Sequence, residues 1–88
     1  PETIVGRTAG QVVLGNDPYV SAQHARIRQE PSEDDPDVQV IVLYDMASAN
    51  GSFAGTKEDY RDQQVYRHEL QDGDYLLIGE TTMVFKQV

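Results

Sequence analysis

Eighty-eight residues without a cysteine describe one small domain, 1–88, that folds without disulfides or thiolate metal sites. Seven basic residues against fifteen acidic ones give a net charge of −8. That balance argues against nucleic acid and against an anionic membrane, which both draw affinity from a basic surface. The longest apolar run, Val40 to Tyr44, is too short to span a bilayer, and nothing resembles a signal peptide. The absence of cysteine fits a cytoplasmic protein, or a nuclear one in a eukaryote. A start at Pro1 without methionine reads as a segment of a longer chain.

In chain order the pattern is β throughout. Thr3-Ile4-Val5 is a short strand ending at Gly6, and Gln11 to Leu14 is a second β-branched run. Gly15-Asn16-Asp17-Pro18 closes it with a dense turn signal. From His24 to Glu30 the residues alternate, which predicts His24, Arg26, Arg28 and Glu30 on one face and Ala25 and Ile27 toward a core. Val38 to Asp45 is nearly all apolar, as in a strand covered on both faces. Asp72-Gly73 predicts a tight hairpin into Tyr75 to Ile78, and Gly79-Glu80 turns the chain into a strand over Thr82 to Val88. No helical period lasts three turns. Short strands at this spacing predict an all-β sandwich.

Two polar stretches read as loops. Pro31-Ser32-Glu33-Asp34-Asp35-Pro36-Asp37 carries two prolines and four acids and is predicted to be exposed and mobile. It lacks the spacing and the glycine of an EF-hand, so calcium is not indicated. Thr56 to Gln64 is predicted as a long hairpin tip or an insertion.

The chemistry-bearing residues sit between strands. Arg7 follows a strand and Gly6, and a guanidinium can give a phosphate two parallel charge-assisted hydrogen bonds. Gly6 lets the backbone turn without a Cβ clash. Ser21 ends a turn-rich loop, where its hydroxyl can donate to a phosphate oxygen, and His24 is placed to tie that loop down. Asn50-Gly51 is a strong turn dipeptide, and a loop asparagine can bind a ligand backbone with both ends of its amide. Taken singly, these are a surface arginine, a turn cap and a hairpin. Hydrolase chemistry on Ser21 and His24 would need an orienting acid, an oxyanion hole and a strained elbow, and no G-x-S-x-G is present. Phosphatase action would need a nucleophilic cysteine or a metal cluster, so no enzyme and no cofactor is expected.

Taken together, the residues resemble the forkhead-associated (FHA) domain. That family runs G-R, S-x-x-H, a strand, D-x-x-S-x-N-G, then D-G-D and a closing strand. Here the matching residues are Gly6-Arg7, Ser21-Ala22-Gln23-His24, Asp45-Met46-Ala47-Ser48-Ala49-Asn50-Gly51 and Asp72-Gly73-Asp74, within residues 3 to 86. The resemblance implies an eleven-stranded β-sandwich of two antiparallel sheets with the ligand loops at one end. It implies recognition of phosphothreonine in an extended peptide: Arg7 and Ser21 on the phosphate, and Asn50 on the peptide backbone. Gly6, His24, Ser48 and Gly51 would shape the loops. Tyr19, Ala22 and Ala49 would stand at secondary peptide contacts. Tyr19 would favour an apolar or aromatic residue three after the phosphothreonine.

The chain also departs from the pattern. Ala22 and Ala49 stand where the family often has hydrogen-bonding side chains. Arg26 and Arg28 are expected to pair with nearby acids. The acidic loop Glu33 to Asp37 is expected to flank the binding end and to disfavour acidic peptides. Only five residues precede Gly6, so the usual first strand is expected to be absent or supplied from outside this chain. The function implied is a phosphothreonine-dependent signalling adaptor. Its partner would be a phosphorylated protein or peptide, such as a kinase or a segment of its own parent protein. The alternative is a degenerate, phospho-independent scaffold domain that binds a protein partner constitutively.

Overall fold

The computed structural model describes residues 2–87. The strands are β1 (Glu2–Gly6), β2 (Val12–Val13), β3 (Ala25–Pro31), β4 (Gln39–Asp45), β5 (Ser52–Gly55), β6 (Gln64–Val65), β7 (Arg67–Leu70), β8 (Tyr75–Ile78) and β9 (Thr81–Val84). They form one sheet in the order β2-β1-β3-β4-β7 and another in the order β6-β5-β8-β9. The described residues thus hold nine strands rather than eleven. One pair departs from the expected antiparallel plan, because β2 runs parallel to β1. Residues 7–11 fold back along β1 to permit this. The Gln11 side chain accepts the Ile4 N–H at 2.8 Å, and Gly10, at φ +112°, lies against the Ile4 backbone where a Cβ would overlap it.

The core forms where the inward faces of the two sheets meet. Val5, Ala25, Leu43 and Leu70 come from the first sheet, Ala54, Leu76 and Ile78 from the second, and Val20 from a loop. In β4 both Val42 and Leu43 are wholly buried although they point to opposite faces. Leu43 lies in the core. Val42 faces the other side of the sheet, between Arg28 and Glu69, its neighbours in register. Outside the sheet, Arg28 pairs with Glu2 at 3.6 Å, as expected. Arg26 instead lies over the Tyr44 ring at 5.1 Å.

Strand direction decides which loops share an end. Val5 pairs with Ala25, and Ala25 with Asp45, so Gly6, His24 and Met46 emerge together. Ile78 pairs with Ser52 and with Thr81, which brings the Gly79-Glu80 hairpin to the same end. The acidic loop closes the β3–β4 hairpin at the opposite end, where Pro31 pairs with Gln39. It therefore does not flank the binding loops. Seven residues of strand, at about 3.3 Å each, separate the two ends by roughly 20 Å. The loop is exposed, as expected, and Glu33 lies 3.7 Å from the Arg67 guanidinium.

Three further expectations change. Asp72-Gly73 makes a turn, with Gly73 at φ +88°, but it joins β7 of one sheet to β8 of the other and is no hairpin. The last strand ends at Val84, with residue 88 outside the described residues. Thr56 to Gln64 is a hairpin tip between β5 and β6, but an anchored one. Its 3-10 turn, Tyr60–Asp62, buries Tyr60 against Tyr75, with ring centroids 5.3 Å apart. No helix among the described residues is long and apolar enough to cross a membrane. No metal-binding cluster is found among them.

Candidate functional site

Three loops meet at the end defined by Gly6, His24 and Met46. The first carries Gly6 and Arg7. Gly6 has no positive φ, and its requirement is close approach, since a Cβ there would overlap the Ala22 carbonyl and lie 2.8 Å from that of Ala9. The Arg7 N–H donates to the Ser21 carbonyl at 2.9 Å, locking the first loop to the second. The Arg7 side chain is exposed and makes no salt bridge among the described residues.

The second loop is organised by His24. This residue precedes β3 rather than lying on its solvent face, and it is wholly buried, contrary to the alternation. Its Nδ1 accepts the Ser21 N–H at 3.0 Å. That contact makes Nε2 the protonated nitrogen, and it donates to the Gly51 carbonyl at 2.7 Å. The ring thus bridges the second and third loops.

The third loop, residues 46–51, is shaped by Asp45. Its carboxylate accepts the Ser48 N–H at 3.0 Å, the Ser48 hydroxyl and the Ser52 hydroxyl at 2.7 Å. Burial pushes this carboxyl up, but the Ser48 and Ser52 hydrogen bonds outweigh it and hold it below the ordinary aspartate value. Ser48 passes the order on, its Oγ accepting the Gly51 N–H at 3.0 Å. Gly51 sits at φ +85° and Ala47 at φ +54°.

Two side chains of the predicted site also join loops. Ser21 Oγ accepts the Ala49 N–H at 3.0 Å, which leaves its own proton to donate. Asn50 Nδ2 donates to the Tyr19 carbonyl at 2.9 Å, so one end of its amide is engaged within the protein. Ala22, Ala49 and Tyr19 are exposed around this junction. Arg7 and Asn50 are exposed and Ser21 is half-buried, and none of the three lines the groove between residues 13–18 and Glu80-Thr81 or the one between β5 and β7.

Asp17 was legible in the sequence only as part of a turn signal. It is buried, and it fastens the second loop to the Gly79-Glu80 hairpin. One oxygen accepts the Tyr19 N–H at 3.0 Å. The other accepts the Glu80 N–H at 2.8 Å and the Thr81 hydroxyl at 2.7 Å. The Thr81 bond, helped by the two N–H groups, holds this carboxyl below its ordinary value despite burial. Gly79 makes room for the contact: a Cβ there would stand 2.6 Å from Val20 and 2.8 Å from Asp17 Oδ2.

A two-sheet sandwich with ordered loops gathered at one end is the build of a binding module. The family model for the FHA domain matches residues 3–79, and the chain belongs to that family. Solved structures agree. An FHA domain from a study of phosphothreonine-dependent FHA domain interactions superposes with a TM-score of 0.77 at 26% identity, over 99% of this chain and 77% of that one. The FhaA FHA domain, complexed with the intracellular domain of Rv3910, gives 0.73 at 27% identity, over 94% and 77%. Mycobacterium tuberculosis EmbR, in complex with a low-affinity phosphopeptide, gives 0.73 at 26% identity, over 97% of this chain and 19% of that one. A comparison with curated proteins returns no match.

Proposed function

We propose that this domain is a phosphothreonine-dependent protein–protein interaction module that works without catalysis. Arg7 and Ser21 hold the phosphate, and Asn50 holds the peptide backbone beside it. The observation that carries this reading is the arrangement of donors at one end. An exposed, unpaired guanidinium and a serine hydroxyl with a free proton stand on loops clamped to each other through backbone and His24 contacts. Loops held in place before binding lose little backbone entropy when they grip an oxyanion, leaving the Arg7 side chain as the part that must be ordered. The partners of the related FHA structures, a phosphopeptide among them, support the same reading. The natural ligand is a phosphorylated protein in the cytoplasm or nucleus, such as a kinase or a segment of the parent protein.

The grip is a minimal one. Ala22 and Ala49 supply no side-chain hydrogen bond, each worth roughly 0.5–1.5 kcal/mol. Their absence lowers affinity by about one to two decades. A phospho-independent module is the second reading, favoured by those alanines and by the Asn50 donor already bound to Tyr19.

Calorimetry with a phosphothreonine peptide library and its unphosphorylated twin separates the two. Binding only of the phosphorylated set, lost in Arg7→Ala, supports the first reading. Equal binding of both sets, unchanged by Arg7→Ala, rejects it.

A further inference from the structure

Of the two asparagines in the chain, Asn16 precedes Asp17 and Asn50 precedes Gly51. Asn50 is exposed in the third loop, where water reaches it. We propose that Asn50 is a site of spontaneous deamidation, and that the closed third loop holds the reaction in check.

The chemistry needs only water. The Gly51 backbone nitrogen loses its proton to hydroxide and attacks the Asn50 Cγ. A bond forms between Cγ and that nitrogen, the Cγ–Nδ2 bond breaks, and Nδ2 leaves as ammonia with a proton returned by water. The product is a cyclic succinimide. One water then opens it, at Cγ to give aspartate or at the main-chain carbonyl carbon to give isoaspartate. Glycine favours the attack because it has no Cβ to hinder the approach of its nitrogen. Asn16 faces the nitrogen of the bulkier Asp17.

The fold opposes the attack at both nitrogens that take part. The Gly51 N–H donates to Ser48 Oγ at 3.0 Å, so the proton that must leave is held. Ser48 is fixed in turn, since its own hydroxyl donates to the Asp45 carboxylate. Asn50 Nδ2, the leaving nitrogen, donates to the Tyr19 carbonyl at 2.9 Å, which holds the amide against the second loop. His24 Nε2 donates to the Gly51 carbonyl at 2.7 Å and restrains the backbone just beyond the step. Closure of the succinimide therefore requires the loop to open, and loops are among the segments of a fold that open most readily.

The consequence for binding rests on the phosphothreonine reading above, which deamidation itself does not need. Asn50 adjoins Ala49, whose N–H donates to Ser21 Oγ. An aspartate in its place sets a carboxylate at the phosphate loops, with the same sign of charge as the ligand. Isoaspartate lengthens the backbone there and displaces the loop.

The test follows deamidation at each asparagine by peptide mass mapping at mildly alkaline pH. Wild-type protein is incubated in buffer and in unfolding urea, beside Ser48→Ala in buffer. Asn50 should react faster than Asn16 in urea, and about tenfold or more slower in the folded protein than in urea. Ser48→Ala, folded by circular dichroism, should speed the folded-state reaction by about two- to tenfold. No deamidation of Asn50 in urea, or equal rates folded and unfolded, overturns the proposal without recourse to any variant. A folded Ser48→Ala that reacts at the wild-type rate overturns the guard assigned to Ser48. The aspartate form, separated by ion exchange, should bind a phosphothreonine peptide about tenfold more weakly; unchanged affinity overturns the functional consequence. Equal binding of phosphorylated and unphosphorylated peptides by unmodified protein overturns the phosphothreonine reading and leaves the deamidation site standing.

Discussion

The His24 ring reaches across the binding end to the Gly51 carbonyl, 2.7 Å away and fully out of water. With Ser21 N–H on its other nitrogen, the ring is the buried joint between the second and third loops. His24→Ala removes both bonds, leaves the Gly51 carbonyl without its donor and opens a cavity. The expected loss is about 2–5 kcal/mol in urea unfolding. Faster amide exchange at Ser21 should accompany it. A loss under about 1 kcal/mol would show that the loops hold together without the ring.

Gly6→Ala tests close approach rather than backbone freedom. The added methyl meets the Ala22 carbonyl, which is backbone and cannot rotate away. The second loop must move, and the Arg7 N–H contact with Ser21 moves with it. We expect about 1–3 kcal/mol of destabilisation and weaker phosphopeptide binding. Unchanged calorimetric affinity would mean that the loop spacing is not critical.

Ala47 is a non-glycine residue in the left-handed region, at φ +54°, on an exposed turn. Ala47→Gly relieves roughly 1–2 kcal/mol of steric cost but returns about 0.4–1 kcal/mol through the freer unfolded chain. The expected outcome is neutral to stabilising, by up to about 1.5 kcal/mol in urea unfolding. A clear destabilisation would show that the Ala47 methyl makes a packing contact.

The convergence of these loops was legible because their residues carry unusual chemistry in a fixed order. Ser21, His24, Ser48 and Gly51 make hydrogen bonds within or between the loops, and Gly6 lies against the Ala22 carbonyl. Location was harder to read. The acidic loop lies one strand beyond His24, and an antiparallel strand carries the chain to the other end; counting strands from Arg7 would have placed it there. The alternation of β3 does not extend back to His24, because the chain is still in the loop when it passes that residue. Asp72-Gly73 identifies a turn but not which strands it joins, since any two consecutive strands need one. Tyr60 was hidden in a polar stretch. Its burial depends on Tyr75 and on a 3.0 Å bond between its hydroxyl and that of Thr82, both far away in sequence.

Acid should loosen the binding end through two carboxylates. Asp17, chiefly through Thr81, and Asp45, through Ser48 and Ser52 against the opposing push of burial, are both held below the ordinary aspartate value of 3.8. The unfolded chain therefore takes up these protons first as pH falls. Their contribution to stability is complete above the ordinary value and is lost as pH drops through the lower folded-state values. Unfolding midpoints in urea, measured from about pH 7 down to about pH 3, should fall steeply below pH 4. Asp17→Asn and Asp45→Asn should each be less stable at neutral pH and lose less on acidification, because the group that titrates is gone. If both variants kept the full wild-type slope between pH 5 and pH 3, the acid sensitivity would belong to other groups.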